Sequence, residues 1–219
     1  MTTEKGFDRL IAFSDAVVAI ALTLLVLPLV DLPGEIADGT NLGDVLANAH
    51  NELIAFGVSF LVIWRLWTEH HQIFGHYRVA DHVTMTMNFV WLATIVVLPF
   101  PTALLSTAIS EHGAEPLYLG VLLVSSLMLI ALTWRVRHHP ELAERGDDAW
   151  ATQGVDWATP AAMLLALILA LIVPELGPWV MVLLAGPLLV GLLRNAFRRL
   201  THRRRDDRRP AGGRANARR

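Results

Sequence analysis

The chain has 219 residues, 54% of them hydrophobic and 17% charged, with a formal net charge of −2 and no cysteine. A mean hydropathy of +0.47 is the composition of an integral membrane protein and not of a soluble core. The missing cysteines exclude structural disulfides and thiolate metal sites.

Six apolar stretches predict an all-α membrane protein with six transmembrane helices per subunit: Leu10–Val30, Leu53–Trp67, Val83–Pro99, Leu117–Trp134, Trp157–Val173 and Trp179–Leu193. They divide the chain into a membrane domain, 1–193, and a basic tail, 194–219. Several stretches fall short of the roughly 20 residues a bilayer asks for, so their flanks must extend them. The first is not a cleavable signal: it is too long for a signal core, carries Asp15 and lacks a small-residue cleavage site.

The first stretch places Arg9 and Asp15 on an apolar helix of spanning length. Intramembrane charge costs a few kcal/mol or more per group, so it points to an ion pathway. At about 100° per residue, Arg9, Phe13, Ile20, Leu24 and Leu27 share one face, with Ala16 and Thr23 close to it. Ser14 and Asp15 point well away from Ile20, and lipid offers them no hydrogen bond, so other helices must. The apolar stripe has two readings that periodicity leaves open: packing against lipid and helices, or a hydrophobic constriction along a pore that gates by dewetting.

The end of the second stretch and the start of the third carry His70, His71, His76 and His82 close together. A metal site there would call for an HExxH pattern or regular i,i+4 carboxylate pairing, and neither accompanies them; no metal is expected. Interfacial histidines that satisfy neighbouring polar groups fit better, and their titration near neutral pH leaves pH sensitivity open. Arg65, within Ile63-Trp64-Arg65-Leu66-Trp67, is expected either to snorkel to the cytoplasm or to alter packing near the inner mouth.

The linkers after the first, third and fifth stretches (31–52, 100–116 and 174–178) contain no Lys or Arg, whereas the segment from Arg194 onward carries eleven arginines. The positive-inside rule therefore puts both termini in the cytoplasm of a multi-pass protein of the cell's inner (plasma) membrane. Acidic residues in the odd linkers would concentrate cations at an outer mouth, although ordinary solvated loops have the same composition. The tail is expected to hold topology and touch anionic lipid, with no nucleic acid involved, and to be largely disordered after Pro210.

Arg9-x-x-x-Phe13-Ser14-Asp15, Trp67-x-x-His70-His71-x-x-Phe74, Asp81, Asn88 and Leu98-Pro99-Phe100-Pro101-Thr102 together resemble the bacterial branch of the transmembrane protein 175 potassium channels. The similarity is close over the first three stretches and confined to hydropathy and spacing over the last three. It implies a homotetramer whose first helices line a central pore, and a channel that is weakly selective for potassium over sodium. It also implies a constriction at Ile20, Leu24 and Leu27, with Thr23 at a position associated with selectivity. Arg9, Phe13, Ser14, Asp15, Trp67, His70, His71 and Asn88 would form a structural polar network joining the pore helix to its neighbours. The permeant ion is potassium, and no cofactor is expected. The sequence holds no Thr-Val-Gly-Tyr-Gly loop and no acidic residue on the stripe, so discrimination by an apolar ring must come from the cost of shedding water.

A secondary transporter or proton pathway using Asp15 and a histidine relay is the alternative, but inverted repeats and midplane helix breaks are not evident. No motif supports an intramembrane enzyme.

Overall fold

The computed structural model describes residues 1–30, 41–106, 114–144 and 157–172. Among these the chain forms α1 (Glu4–Leu24), α2 (Leu42–Asn48), α3 (His50–Phe74), α4 (His82–Val97), α5 (Pro99–Ser106), α6 (Ala114–His138) and α7 (Ala158–Ile172).

The ends of the helices follow from local chemistry. The side chain of Thr3 caps α1 by accepting from Gly6 N at 3.2 Å, with Glu4 in the positive first turn. α1 stops at Leu24, the residue whose carbonyl would need the N–H that Pro28 lacks, and a 3-10 turn over Leu27–Leu29 follows. Asp81 caps α4, accepting from Thr84 N at 2.9 Å and Thr84 Oγ1 at 2.7 Å.

Three segments are long and apolar enough to cross a membrane: Glu4–Leu29, His82–Ser106 and Ala114–His138. α2 and α3 together form a further candidate, bent by 64° at their junction. α7 is a shorter apolar helix, and the expected sixth span, 179–193, lies outside the described residues, as does the tail from Arg194.

Two boundaries differ from those read off hydropathy. The second span extends past Trp67 to Phe74, because Arg65 and Glu69 neutralise each other one turn apart and His70 is enclosed by aromatic rings. The third span continues through Pro99 and Pro101 to Ser106. Pro101 and Thr102 are buried against neighbouring helices, and Thr102 Oγ1 donates to Leu98 O at 2.8 Å, so packing sustains a helix the prolines alone would weaken.

Phe7 near the start of α1 stacks on Phe74 at the end of α3, with ring centroids 5.6 Å apart. Asp81 at the start of α4 pairs with Arg135 near the end of α6. The long helices therefore alternate in direction, and the start of α1 shares one side of the bundle with the α3–α4 loop and the end of α6. The core runs through the middle of the bundle, where Val18 and Leu25 of α1 meet Ile63 of α3, Trp91 and Ile95 of α4, and Leu122 of α6. Toward the opposite end of the bundle a second polar layer crosses it: Ser59 Oγ lies 2.9 Å from Thr102 Oγ1 and 3.2 Å from the Tyr118 hydroxyl.

Candidate functional site

α1 has two unlike faces. Phe7, Ser14, Val18 and Ala21 are buried, whereas Arg9, Phe13, Ala16, Ile20, Thr23 and Leu24 lie on a continuous exposed strip that runs on to Leu27 in the following turn. Phe13, Ile20 and Leu27 are 58%, 59% and 57% exposed, values unusual for large apolar side chains unless lipid or another subunit covers them. Of the three uninterrupted spanning segments α1 is also the least covered, 22% of its apolar window being buried against 39% in the other two. The Thr23 hydroxyl donates to Ile20 O at 2.7 Å, so its proton is held by its own helix and its oxygen lone pairs face outward.

The opposite face is fastened by hydrogen bonds. Ser14 Oγ donates to Leu10 O at 2.9 Å, Asn88 Nδ2 donates to Ser14 Oγ at 3.0 Å, and His70 Nε2 lies 2.7 Å from Asn88 Oδ1. The ends of this row fix its direction. Ser14 commits its proton to a carbonyl, so Asn88 donates to Ser14 through its amide nitrogen and accepts through its oxygen, and His70 carries its proton on Nε2. All three side chains are buried. The His70 imidazole is sandwiched between Trp91, 3.9 Å away at 8°, and Phe74, 4.1 Å away at 26°, which fixes the ring in the plane that reaches Asn88.

Asp15 is held separately. Its Oδ1 accepts from the Trp67 indole at 2.8 Å, and Trp67 in turn packs between Trp64 and His71. Helical spacing explains the division: Ser14 and Asp15 are about 100° apart, so one meets α4 and the other meets α3. The structure thus brings Ser14, Asn88 and His70 into one row and joins Asp15 to Trp67. His71 is exposed and packs on the Trp67 ring, while Arg9 and Phe13 lie on the opposite, exposed strip. Among the described residues no histidine is hydrogen-bonded to Asp15, and an indole N–H donates but cannot accept, so the Asp15–Trp67 pair does not provide a relay. Among the described residues no group of three or more His, Cys, Asp or Glu could hold a metal ion.

Trp91, which encloses His70, escapes sequence reasoning because a tryptophan in an apolar run is indistinguishable from lipid-facing bulk. Its place just before an apolar run is the signal by which Asp81, singled out above only within the family motif, was legible as a cap. Its pairing with Arg135, 54 residues away, was not. That guanidinium holds the Asp81 carboxyl well below the usual carboxylate range.

The family model described as endosomal/lysosomal potassium channel TMEM175 matches residues 9–99. A potassium channel of Streptomyces collinus is 36% identical over 155 residues, which cover 68% of this chain and 73% of the relative. A potassium channel of Chamaesiphon minutus is 34% identical over 146 residues, 65% of this chain and 69% of its own. The crystal structure of a lysosomal potassium-selective channel TMEM175 homolog from Chamaesiphon minutus superposes with a TM-score of 0.67 at 30% identity, covering 84% of this chain and 96% of that one.

Proposed function

The chain belongs to the TMEM175 potassium-channel family, and from that premise we propose that it forms a potassium-permeable homotetrameric pore, lined by the exposed strip of α1 and narrowest at Ile20, Leu24 and Leu27. The family is one of ion channels and not of enzymes. Potassium is the permeant ion and no cofactor takes part. The observation that carries the reading is the asymmetry of α1: a strip of large apolar side chains left uncovered on one face, and a hydrogen-bonded anchor to α3 and α4 on the other.

A ring of four isoleucines offers an ion no oxygen to replace its hydration shell. The barrier is the cost of stripping or squeezing that shell, which is lower for potassium than for the smaller sodium ion, so selectivity is modest. The same ring closes by dewetting when it narrows. Thr23, one turn on from Ile20 with its lone pairs outward, offers a passing ion a partial substitute for water. Ser14, Asp15, Trp67, His70 and Asn88 hold α1 against its own subunit and so fix which face meets the axis, while Arg9 and Phe13 line the strip below the constriction.

Both termini lie in the cytoplasm, in a cell membrane, and the basic tail from Arg194 contacts anionic lipid. The test is conductance of the purified protein in a planar bilayer under a potassium–sodium gradient. A cation current whose reversal potential lies toward the potassium equilibrium value is expected. A reversal potential that tracks neither cation would overturn the reading.

A further inference from the structure

On the side of the bundle where α1 begins, the α3–α4 loop meets two other parts of the chain at once. Toward α1, Thr2 N donates to Ala80 O at 2.7 Å and Ala80 N returns a bond to Thr2 Oγ1 at 2.9 Å, while Arg78 pairs with Glu4 at 3.3 Å. Toward the segment after α6, Arg78 N donates to Leu142 O at 2.8 Å and Glu144 N to His76 O at 2.9 Å, flanking an antiparallel bridge between Tyr77 and Ala143. Tyr77 belongs to both attachments. Its ring lies 6.2 Å from that of Phe7 on α1 and 5.5 Å from that of Phe74, and its hydroxyl donates to Leu132 O of α6 at 2.7 Å.

These bonds are spread over three stretches far apart in sequence, and the polar anchor at Ser14 and Asp15 uses none of them. Phe7 is 3% exposed and Tyr77 4%, so neither ring can move without the other. We propose that Tyr77 is a positioning residue for conduction: acting through Phe7, it ties the entrance end of the pore helix to α6 and the 139–144 turn, so that a displacement of that turn shifts the balance between open and closed pores. The proposal rests on the channel reading above. It places the control of opening at the entrance, about 20 Å along α1 from Ile20, and leaves selectivity at the constriction untouched.

Tyr77→Phe keeps the ring on Phe7 and removes the hydroxyl with its bond to Leu132 O. In planar bilayers it is expected to shift the ratio of open to closed time by about two- to tenfold, the reach of one net hydrogen bond present in one state and lost in the other, with the potassium–sodium reversal potential unchanged. Phe7→Ala cuts the link on the α1 side and should shift the same ratio; Phe7→Leu takes its place should the alanine variant fail to assemble. Because both act through one contact, the double variant should shift the ratio by less than the product of the single effects. An assembled Tyr77→Phe channel with wild-type open time, or effects of the two changes that simply multiply, would overturn the coupling. A wild-type protein that passes no potassium current would overturn the channel reading, and this proposal with it.

Discussion

Ile20 and Asn88 sit on unlike faces of the same apparatus, and substitutions at them separate its two tasks. Ile20 is 59% exposed and has few packing partners within its own subunit, so Ile20→Asn is expected to leave assembly and thermal stability near wild type. The carboxamide wets the ring, lowers the dehydration barrier and moves the potassium-over-sodium permeability ratio toward one, as read from reversal potentials. An assembled variant with an unchanged ratio would remove Ile20 from the constriction. Asn88→Ala acts on the other face, deleting two interhelical bonds and leaving the His70 Nε2 proton without its acceptor. Bonds of this kind inside membranes are worth about 0.6 kcal/mol on average and about 1.7 at most, so the variant is expected to lose about 1–3 kcal/mol. Trp67→Phe, which removes one bond to Asp15 and keeps an aromatic ring there, should lose less than about 1 kcal/mol. Unfolding of both variants in detergent or bicelles checks the order, and equal losses would contradict the picture of a row of three held apart from a pair.

At the level of elements, the junction of α4 with α6 carries a pH dependence. Asp81 caps α4 while receiving the Arg135 guanidinium, and its carboxyl titrates below its ordinary value of 3.8. A carboxyl depressed in the folded state contributes stability that is present above its unfolded value and is lost as pH falls toward the folded one. Melting temperature should therefore be flat from neutral pH down to about 5 and drop below about 4. In Arg135→Met the acid-side drop should be shallower, and an identical profile would detach Asp81 from that behaviour. The elements themselves were largely legible in the sequence, because long apolar runs announce spans whatever they pack against. Their ends were not: the extension of α3 past Trp67 depends on Arg65 meeting Glu69 and on His70 being enclosed by Phe74 and Trp91, and hydropathy scores Arg65, Glu69 and His70 as polar. The site was legible in part. Spacing separated the Ile20 stripe from Ser14 and Asp15, but which residue receives Ser14 and which receives Asp15 is decided by the crossing of α3 and α4, a tertiary fact without sequence periodicity.

For the molecule as a whole, the alternation of helix direction sets Asn41, at the start of α2, on the side opposite Glu144, in the bridge beside the α3–α4 loop. With both termini cytoplasmic as proposed, a cysteine at Asn41 in this otherwise cysteine-free chain should react with a membrane-impermeant thiol reagent on intact cells, and one at Glu144 should react only after lysis. The reverse pattern would invert the orientation. The fastening of α1 at Ser14 and Asp15 also limits how such a pore can move. Spinning the helix about its own axis would break the Asn88 and Trp67 bonds together, whereas above Ser14 the contacts of Val18, Ala21 and Leu25 are apolar and slide without stranding a donor. Ser14 is then a fulcrum and the rest of α1 a lever. Ile20 lies six residues, about 9 Å, up that lever, so a lean of about 10° carries its side chain sideways by about 1.6 Å. Four such levers in the proposed tetramer, leaning together, form an iris that narrows or widens the Ile20 ring.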